Sequence, residues 1–226
     1  MEKIYSVAVD GPSGAGKSSL AKAIAAELHI LYVDTGAIYR TIGCYARRQG
    51  VDAADTKAVI ALLAQVKIEM RYDGQGLQHM LLHGEDVTQE IRLPEMSLYA
   101  SAVSAIPEVR SFLLEMQRDF ARRSSVIMDG RDIGTVVLPH ADVKIFLQAD
   151  VEVRAHRREK ELQERGTPRP FEQVLAEMKE RDYNDTHRAA APLRAAEDAV
   201  TVDTSELDFQ QSKERLLEII REKVGL

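Results

Sequence analysis

Residues 11 to 18 read Gly-Pro-Ser-Gly-Ala-Gly-Lys-Ser and follow directly on a strand-like apolar run, Ile4 to Val9. They fill every fixed position of the pattern G-x-x-x-x-G-K-[ST], a glycine-rich turn whose backbone amides wrap phosphate groups. No other feature of the chain constrains the fold as much. The pattern requires a buried strand, a tight turn at its carboxyl end and a helix that begins within a few residues. Leu20, Ile24 and Leu28 recur at four-residue spacing, so an amphipathic helix is expected to start near Lys17 and to aim its positive dipole end at the turn. Gly11, Gly14 and Gly16 offer backbone conformations closed to other residues and leave amides bare to an anion. Lys17 then reaches the β- and γ-phosphates of a nucleoside triphosphate, and Ser18 offers a hydroxyl to magnesium.

The remaining pattern fits the fold that such a loop requires. Strand-like runs recur at Leu31 to Val33, Val126 to Met128, Val143 to Leu147 and Val200 to Val202, with helical stretches between them. Short continuous apolar strands suit a parallel sheet buried on both faces, an α/β architecture whose sites gather at the carboxyl ends. Several runs end there in an acid, namely Asp34, Asp129 and Asp203. Two further β-like runs, Val66 to Tyr72 and Leu77 to Leu82, flank Asp73-Gly74-Gln75-Gly76 and predict a small antiparallel insert. Between Val151 and Arg194, charges of both signs predict two helices joined by a loop at Gly166-Thr167-Pro168-Arg169-Pro170. A final amphipathic helix is expected over Phe209 to Val224.

Composition narrows the function classes. The chain has 226 residues, 45% hydrophobic and 29% charged, enough for one sizeable α/β domain. A formal charge of −6 supplies no broad basic field, so nucleic acid is not an expected partner and any phosphate site must come from clustered arginines. Cys44 is the single cysteine, which excludes an internal disulfide and a thiolate zinc site; a buried structural role is expected. No H-E-x-x-H pattern is present among the six histidines. No apolar run approaches the roughly 18 residues of a membrane span, and strand and loop begin too early for a signal peptide; a cytoplasmic protein with no membrane partner is expected. The chain has no heptad seam, so a monomer is expected.

Arginines and acids cluster at the edges of these elements, in Asp34-Thr35-Gly36-Ala37-Ile38-Tyr39-Arg40, Asp129-Gly130-Arg131-Asp132 and the stretch Arg181 to Arg188. A guanidinium fork matches a phosphate monoester, whereas each cluster taken alone also reads as a surface ion pair. Over essentially its whole length the sequence resembles the bacterial cytidylate kinases, a branch of the nucleoside monophosphate kinases. The resemblance rests on GPSGAGKS, DTGAIYR at 34–40, LHGEDVTQEIR at 82–92, DGRDIGTVV at 129–137, KIFL at 144–147 and ERDYNDTHRAAAPL at 180–193. The phosphate loop is shared with many kinases and ATPases; the longer strings are specific.

That resemblance implies a P-loop NTPase fold in a single kinase domain spanning 1–226. A five-stranded parallel sheet would carry an acceptor-binding region near 35–110, which includes the insert at about 66–92, and a short lid near 155–170. It implies ATP with magnesium as donor and CMP or dCMP as acceptor. The ATP loop would be Gly11, Pro12, Ser13, Gly14, Ala15, Gly16, Lys17, Ser18 and Ser19. Relatives often carry Gly-Thr or Ser-Thr at 18–19, which leaves open whether Ser18 or Ser19 approaches the metal; Asp129 either orients magnesium through water or caps the following turn. Arg40, Arg131 and Arg188 would hold the acceptor phosphate, and Lys17 with Arg157 or a lid neighbour would serve the transferring group. Asp132, Thr35 and Arg110 would contact the base, Ser101, Arg181 and Asp185 the sugar, and Tyr39 lies within the same implied CMP site. A guanine-nucleotide switch is disfavoured, because the only asparagine, Asn184, is followed by Asp185 and forms no Asn-Lys-x-Asp motif. A kinase for another nucleoside monophosphate, such as UMP, is the alternative.

Overall fold

A computed structural model describes residues 4–74, 76–93 and 95–226 of the chain. Strand β1 (Ser6–Asp10) leads through the glycine-rich turn into helix α1 (Lys17–Leu28), and β2 (Leu31–Asp34) leads directly into α2 (Thr35–Arg48). A short α3 (Thr56–Leu62) precedes three strands, β3 (Ile68–Tyr72), β4 (Gln78–Leu82) and β5 (Glu85–Asp86). Helices α4 (Met96–Ser104) and α5 (Pro107–Arg123) follow, then β6 (Val126–Gly130), a π-helical turn at Ile133–Val137, and β7 (Val143–Gln148). The chain continues through α6 (Val151–Glu164), α7 (Phe171–His187), β8 (Val200–Asp203) and α8 (Phe209–Val224).

The main sheet has five strands in the order β2-β6-β1-β7-β8, all paired in parallel. Because successive strands lie side by side in one direction, each needs a helical crossover, and the helices cover both faces. On one face Val7 and Val9 pack with Leu20 and Ile24 of α1, Ile145, and Leu216 and Ile220 of α8. On the other, Ala8, Val33 and Met128 meet Ile133 and Val137, with Leu114 and Phe120 of α5 alongside. Val7, Ala8 and Val9 are wholly buried, which is why β1 reads as an unbroken apolar run. The parallel register sets Asp10 beside Gly130 and Asp34 beside Asp129, so that the acids predicted at strand ends share one edge of the sheet.

The predicted insert is present, and it gains a third strand: β3, β4 and β5 form an antiparallel sheet, with Gln75 of its turn outside the described residues. Met80 and Leu82 on its inner face pack into a second core with Ile38 and Ile42 of α2, Met96 of α4 and Val109 and Leu113 of α5. Cys44 lies fully buried in that core, as expected. The charged stretch folds as the two predicted helices; Ala155 and Leu162 of α6 pack on Val174, Leu175 and Met178 of α7. No helix among the described residues is long and apolar enough to cross a membrane.

Candidate active site

The loop after β1 adopts the conformation its glycines permit. Gly11, Gly14 and Gly16 have φ of +149°, +75° and +88°, and Gly16 caps α1 from the left-handed region. Met178 and Arg154 back the loop: a Cβ built on Gly14 would lie 2.8 Å from Met178 Cε. Buried Arg154 donates to the Ser13 carbonyl at 3.0 Å and to Asp182 at 2.7 Å, while Arg181 reaches the Ser13 hydroxyl at 3.3 Å. The α6 and α7 pair is thereby fastened to the phosphate loop.

Lys17 is buried, and its Nζ donates to the Pro12 carbonyl at 2.7 Å. Burial, reinforced by the charge of Arg131, holds its ammonium well below the usual lysine range. Ser18 donates to Asp129 Oδ2 at 2.7 Å, and Tyr32 donates to Oδ1 at 2.9 Å, so both carboxylate oxygens are occupied side by side with the loop. Asp129 thus holds side chains and does not cap the next turn. Burial pushes its carboxyl up, with Asp34 adding to the effect and Lys17 opposing it. Of the two serines at 18–19, Ser18 is the one hydrogen-bonded to this acid. Thr35, expected at the base, donates its hydroxyl to the Asp129 carbonyl at 2.7 Å.

Beside Lys17 the arginines concentrate. Arg131 Nε pairs with Asp185 at 2.7 Å, and Arg40 pairs with Asp34 at 2.7 Å. Burial, then the neighbouring charge of Arg131, pushes Arg181 down to about 10; the charges of Arg40 and Arg158 act in the same direction. Burial works to raise the Asp185 carboxyl, but Arg131 and Arg181 outweigh it and hold it low. Among the described residues, the buried Nε atoms of Arg40 and Arg181 have no hydrogen-bond partner. Mutual repulsion among Lys17, Arg131, Arg181 and Arg40, with donors to spare, is the signature of a place built for anions.

A second cluster lies next to it. Asp132 is buried and pairs with Arg110 and, at 3.5 Å, with Arg188. Arg110 also donates to the Ser104 carbonyl at 3.1 Å and stands 5.5 Å from the centre of the Tyr39 ring. Asp132 belongs to the turn that Asp10 holds: the Asp10 carboxylate accepts from the Ile133 and Gly134 amides, each at 2.7 Å. Burial outweighs those two bonds and pushes Asp10 up to about 6.

Three further sequence-predicted residues make protein contacts around these clusters. Arg188, expected with the acceptor phosphate, contacts Asp132, the Ser104 hydroxyl and the Ala191 carbonyl where the chain leaves α7, and Arg181, four residues before Asp185, feels the charge of Arg131. Arg157, expected at the transferring group, donates to the Thr204 carbonyl at 2.6 Å, since its side of α6 faces the end of β8. Ser101, expected at the sugar, accepts through its carbonyl from the Ser104 hydroxyl at 2.9 Å, and Ser104 also meets Arg188. Asp10, Tyr32, Ser104 and Arg154 escaped the sequence reading, although Asp10 ends an apolar run just as Asp34 and Asp129 do.

Ser18 and Asp129 suit a magnesium ion: one hydroxyl and one carboxylate at a phosphate loop leave the other positions to phosphate oxygens and water. Among the described residues no group of three or more His, Cys, Asp or Glu side chains forms an all-protein metal cage.

The cytidylate kinase family model matches residues 7–222. A cytidylate kinase of Caldicellulosiruptor bescii is 46% identical over 97% of this chain and 96% of its own length. A cytidylate kinase of Solibacter usitatus is 47% identical over 99% and 95%. Among solved structures, an uncharacterized protein from Eubacterium ventriosum aligns over 96% of this chain and 98% of its own at 12% identity and a TM-score of 0.53, a likeness of fold alone.

Proposed function

The chain belongs to the cytidylate kinase family, and from that membership we propose that it transfers the γ-phosphoryl group of magnesium ATP to CMP and dCMP, giving ADP with CDP or dCDP. The observation that carries the reading is the cation group Lys17, Arg131, Arg181 and Arg40, set between the phosphate loop and the Asp132–Arg110 pair. An acceptor phosphate oxygen is already anionic at neutral pH, so the transfer needs no strong general base. What it needs is relief from the repulsion of two polyanions and alignment of one on the other. Lys17 and the loop amides hold the donor phosphates, Arg40 and Arg131 hold the acceptor phosphate, and Arg181, in contact with Ser13 and near Arg131, serves both sides. Ser18 would hold a magnesium ion and Asp129 would orient it through water, where it would add positive charge at the donor phosphates. Asp185 accepts from ribose hydroxyls while it aligns Arg131.

The lid spans about 155–170, and the charge of its Arg158 is felt at Arg181. Its closure with the acceptor region, about 35–110, excludes water from the transfer. The enzyme acts as a cytoplasmic monomer in pyrimidine nucleotide metabolism.

Base choice follows from the second cluster. Cytosine offers an N4 amine where uracil offers a carbonyl, so a buried carboxylate favours the first and repels the second, while Arg110 and Arg188 donate to ring acceptors. Replacing Asp132 by alanine is expected to narrow the CMP over UMP preference in kcat/KM by roughly tenfold to a hundredfold. Steady-state assays on both nucleotides test this. An unchanged ratio would remove Asp132 from base recognition.

A further inference from the structure

Strand β2 is the edge of the main sheet, so its outer side has no neighbouring strand to satisfy its backbone. Side chains of the insert take that place. The Gln78 amide accepts from the Asp34 N–H at 2.8 Å and donates to the Asp34 carbonyl at 3.2 Å, closing a two-bond clamp on one residue. Two residues earlier on the same edge, Tyr72 donates to the Tyr32 carbonyl at 2.8 Å. The two contacts dock the same insert but hold different things. Asp34 is the residue whose side chain caps α2, accepting from the Ala37 N–H at 2.8 Å, and pairs with Arg40 at 2.7 Å.

We propose that Gln78 is a positioning residue for the acceptor phosphate: its clamp on the Asp34 backbone fixes the Asp34 carboxylate and through it the Arg40 guanidinium. The inference rests on the assignment of Arg40 to that phosphate. Among the described residues the buried Nε of Arg40 has no partner, so its orientation decides whether that donor meets the ligand. The Asp34–Arg40 pair is partly open to water, with side-chain exposures of 18% and 24%, and an ion pair of this kind does not hold a long arginine in one geometry unaided. A backbone fixed by two hydrogen bonds supplies the missing restraint. The insert thereby tunes affinity for the acceptor without touching it at this point.

The test compares Gln78→Met, which keeps length and loses both bonds, with Tyr72→Phe, Asp34→Asn, Arg40→Met and the Gln78→Met/Asp34→Asn double variant. KM for CMP, KM for ATP and Tm are measured for each. Gln78→Met is expected to raise KM for CMP by about fivefold to tenfold and to leave KM for ATP within about twofold. Tyr72→Phe, which removes a docking bond on the same strand edge but spares both Asp34 bonds, leaves both constants within about twofold. In the Asp34→Asn background the Gln78 substitution adds little, because its route to Arg40 is already broken. The proposal is overturned by an unchanged KM for CMP, by equal rises for CMP and ATP, by an equal effect of Tyr72→Phe, or by an undiminished effect in the Asp34→Asn background. If Gln78→Met does not fold, Gln78→Glu, which keeps the acceptor and loses the donor, is read against the same outcomes. Arg40→Met separates the two failures: if it leaves KM for CMP unchanged, the phosphate assignment fails, and if it alone raises that KM, only the role of Gln78 fails.

Discussion

Replacing Lys17 by methionine is expected to lower kcat by roughly a thousandfold while leaving Tm unchanged or higher, the mark of a charge kept for chemistry at the expense of stability. Lys17 is 5% exposed, lies within reach of the charges of Arg131 and Arg181, and has an ammonium held well below its usual range by burial first and by Arg131 second. Its hydrogen bond among the described residues runs to the Pro12 carbonyl of its own loop. Such a cation gives little to the fold, since burial and like charges both work against it. Its benefit comes when negative charge develops between donor and acceptor, where a preorganised cation excluded from water is most effective. Methionine fills nearly the same volume and removes the charge. Single-turnover rates and thermal unfolding of the same preparation check both halves of the prediction; a kcat loss below about tenfold would remove Lys17 from the transfer step.

Gly11→Ala should have the opposite profile. The loop turns so close to β7 that a Cβ on Gly11 would lie 2.0 Å from the carbonyl oxygen of Leu147, and φ at this position is +149°. Leu147 is fully buried and pairs with Val202 of β8, so the contact is between two fixed backbones and no side-chain rotation relieves it. Overpacking and backbone strain together are expected to cost about 3 kcal/mol or more, which for a domain of this size lowers Tm by roughly 10 °C. Binding of ATP should weaken as well, because the displaced strand end carries Asp10 and the start of the phosphate loop. Calorimetric unfolding with and without ATP measures both effects. Wild-type stability in this variant would mean that the turn and β7 separate more easily than their burial implies.

Much of this was legible in the sequence, for reasons that differ from residue to residue. The central strands are apolar without interruption because both faces are covered, so Val7 to Val9, Val126 to Met128 and Val143 to Leu147 stood out. The phosphate loop was legible because its chemistry requires glycine and lysine at fixed spacing. The third insert strand was not: Glu85–Asp86 is short, exposed and acidic, and it pairs only because β4 offers an edge at Leu81 and Leu82. Within the site, the residue types were visible but their partners were not. Arg181, Asp185 and Arg188 follow one another at spacings of four and three, which along a helix puts them on one face. That Asp185 pairs with Arg131 and Arg188 with Asp132 depends on where the end of α7 meets the turn after β6, a tertiary fact. Tyr32 and Gln78 were invisible for a related reason, since each acts on a strand far away in the sequence or on a strand edge that only the assembled sheet exposes.

The central claim is that the Asp132 cluster selects a cytosine monophosphate and delivers it to the phosphate loop. A coupled assay of ADP release with magnesium ATP and each of CMP, dCMP, UMP and AMP tests it most directly. The account predicts the highest kcat/KM for CMP, with dCMP turned over, UMP well behind and AMP negligible. A preference for UMP or AMP, or release of ADP that no acceptor stimulates, would contradict it.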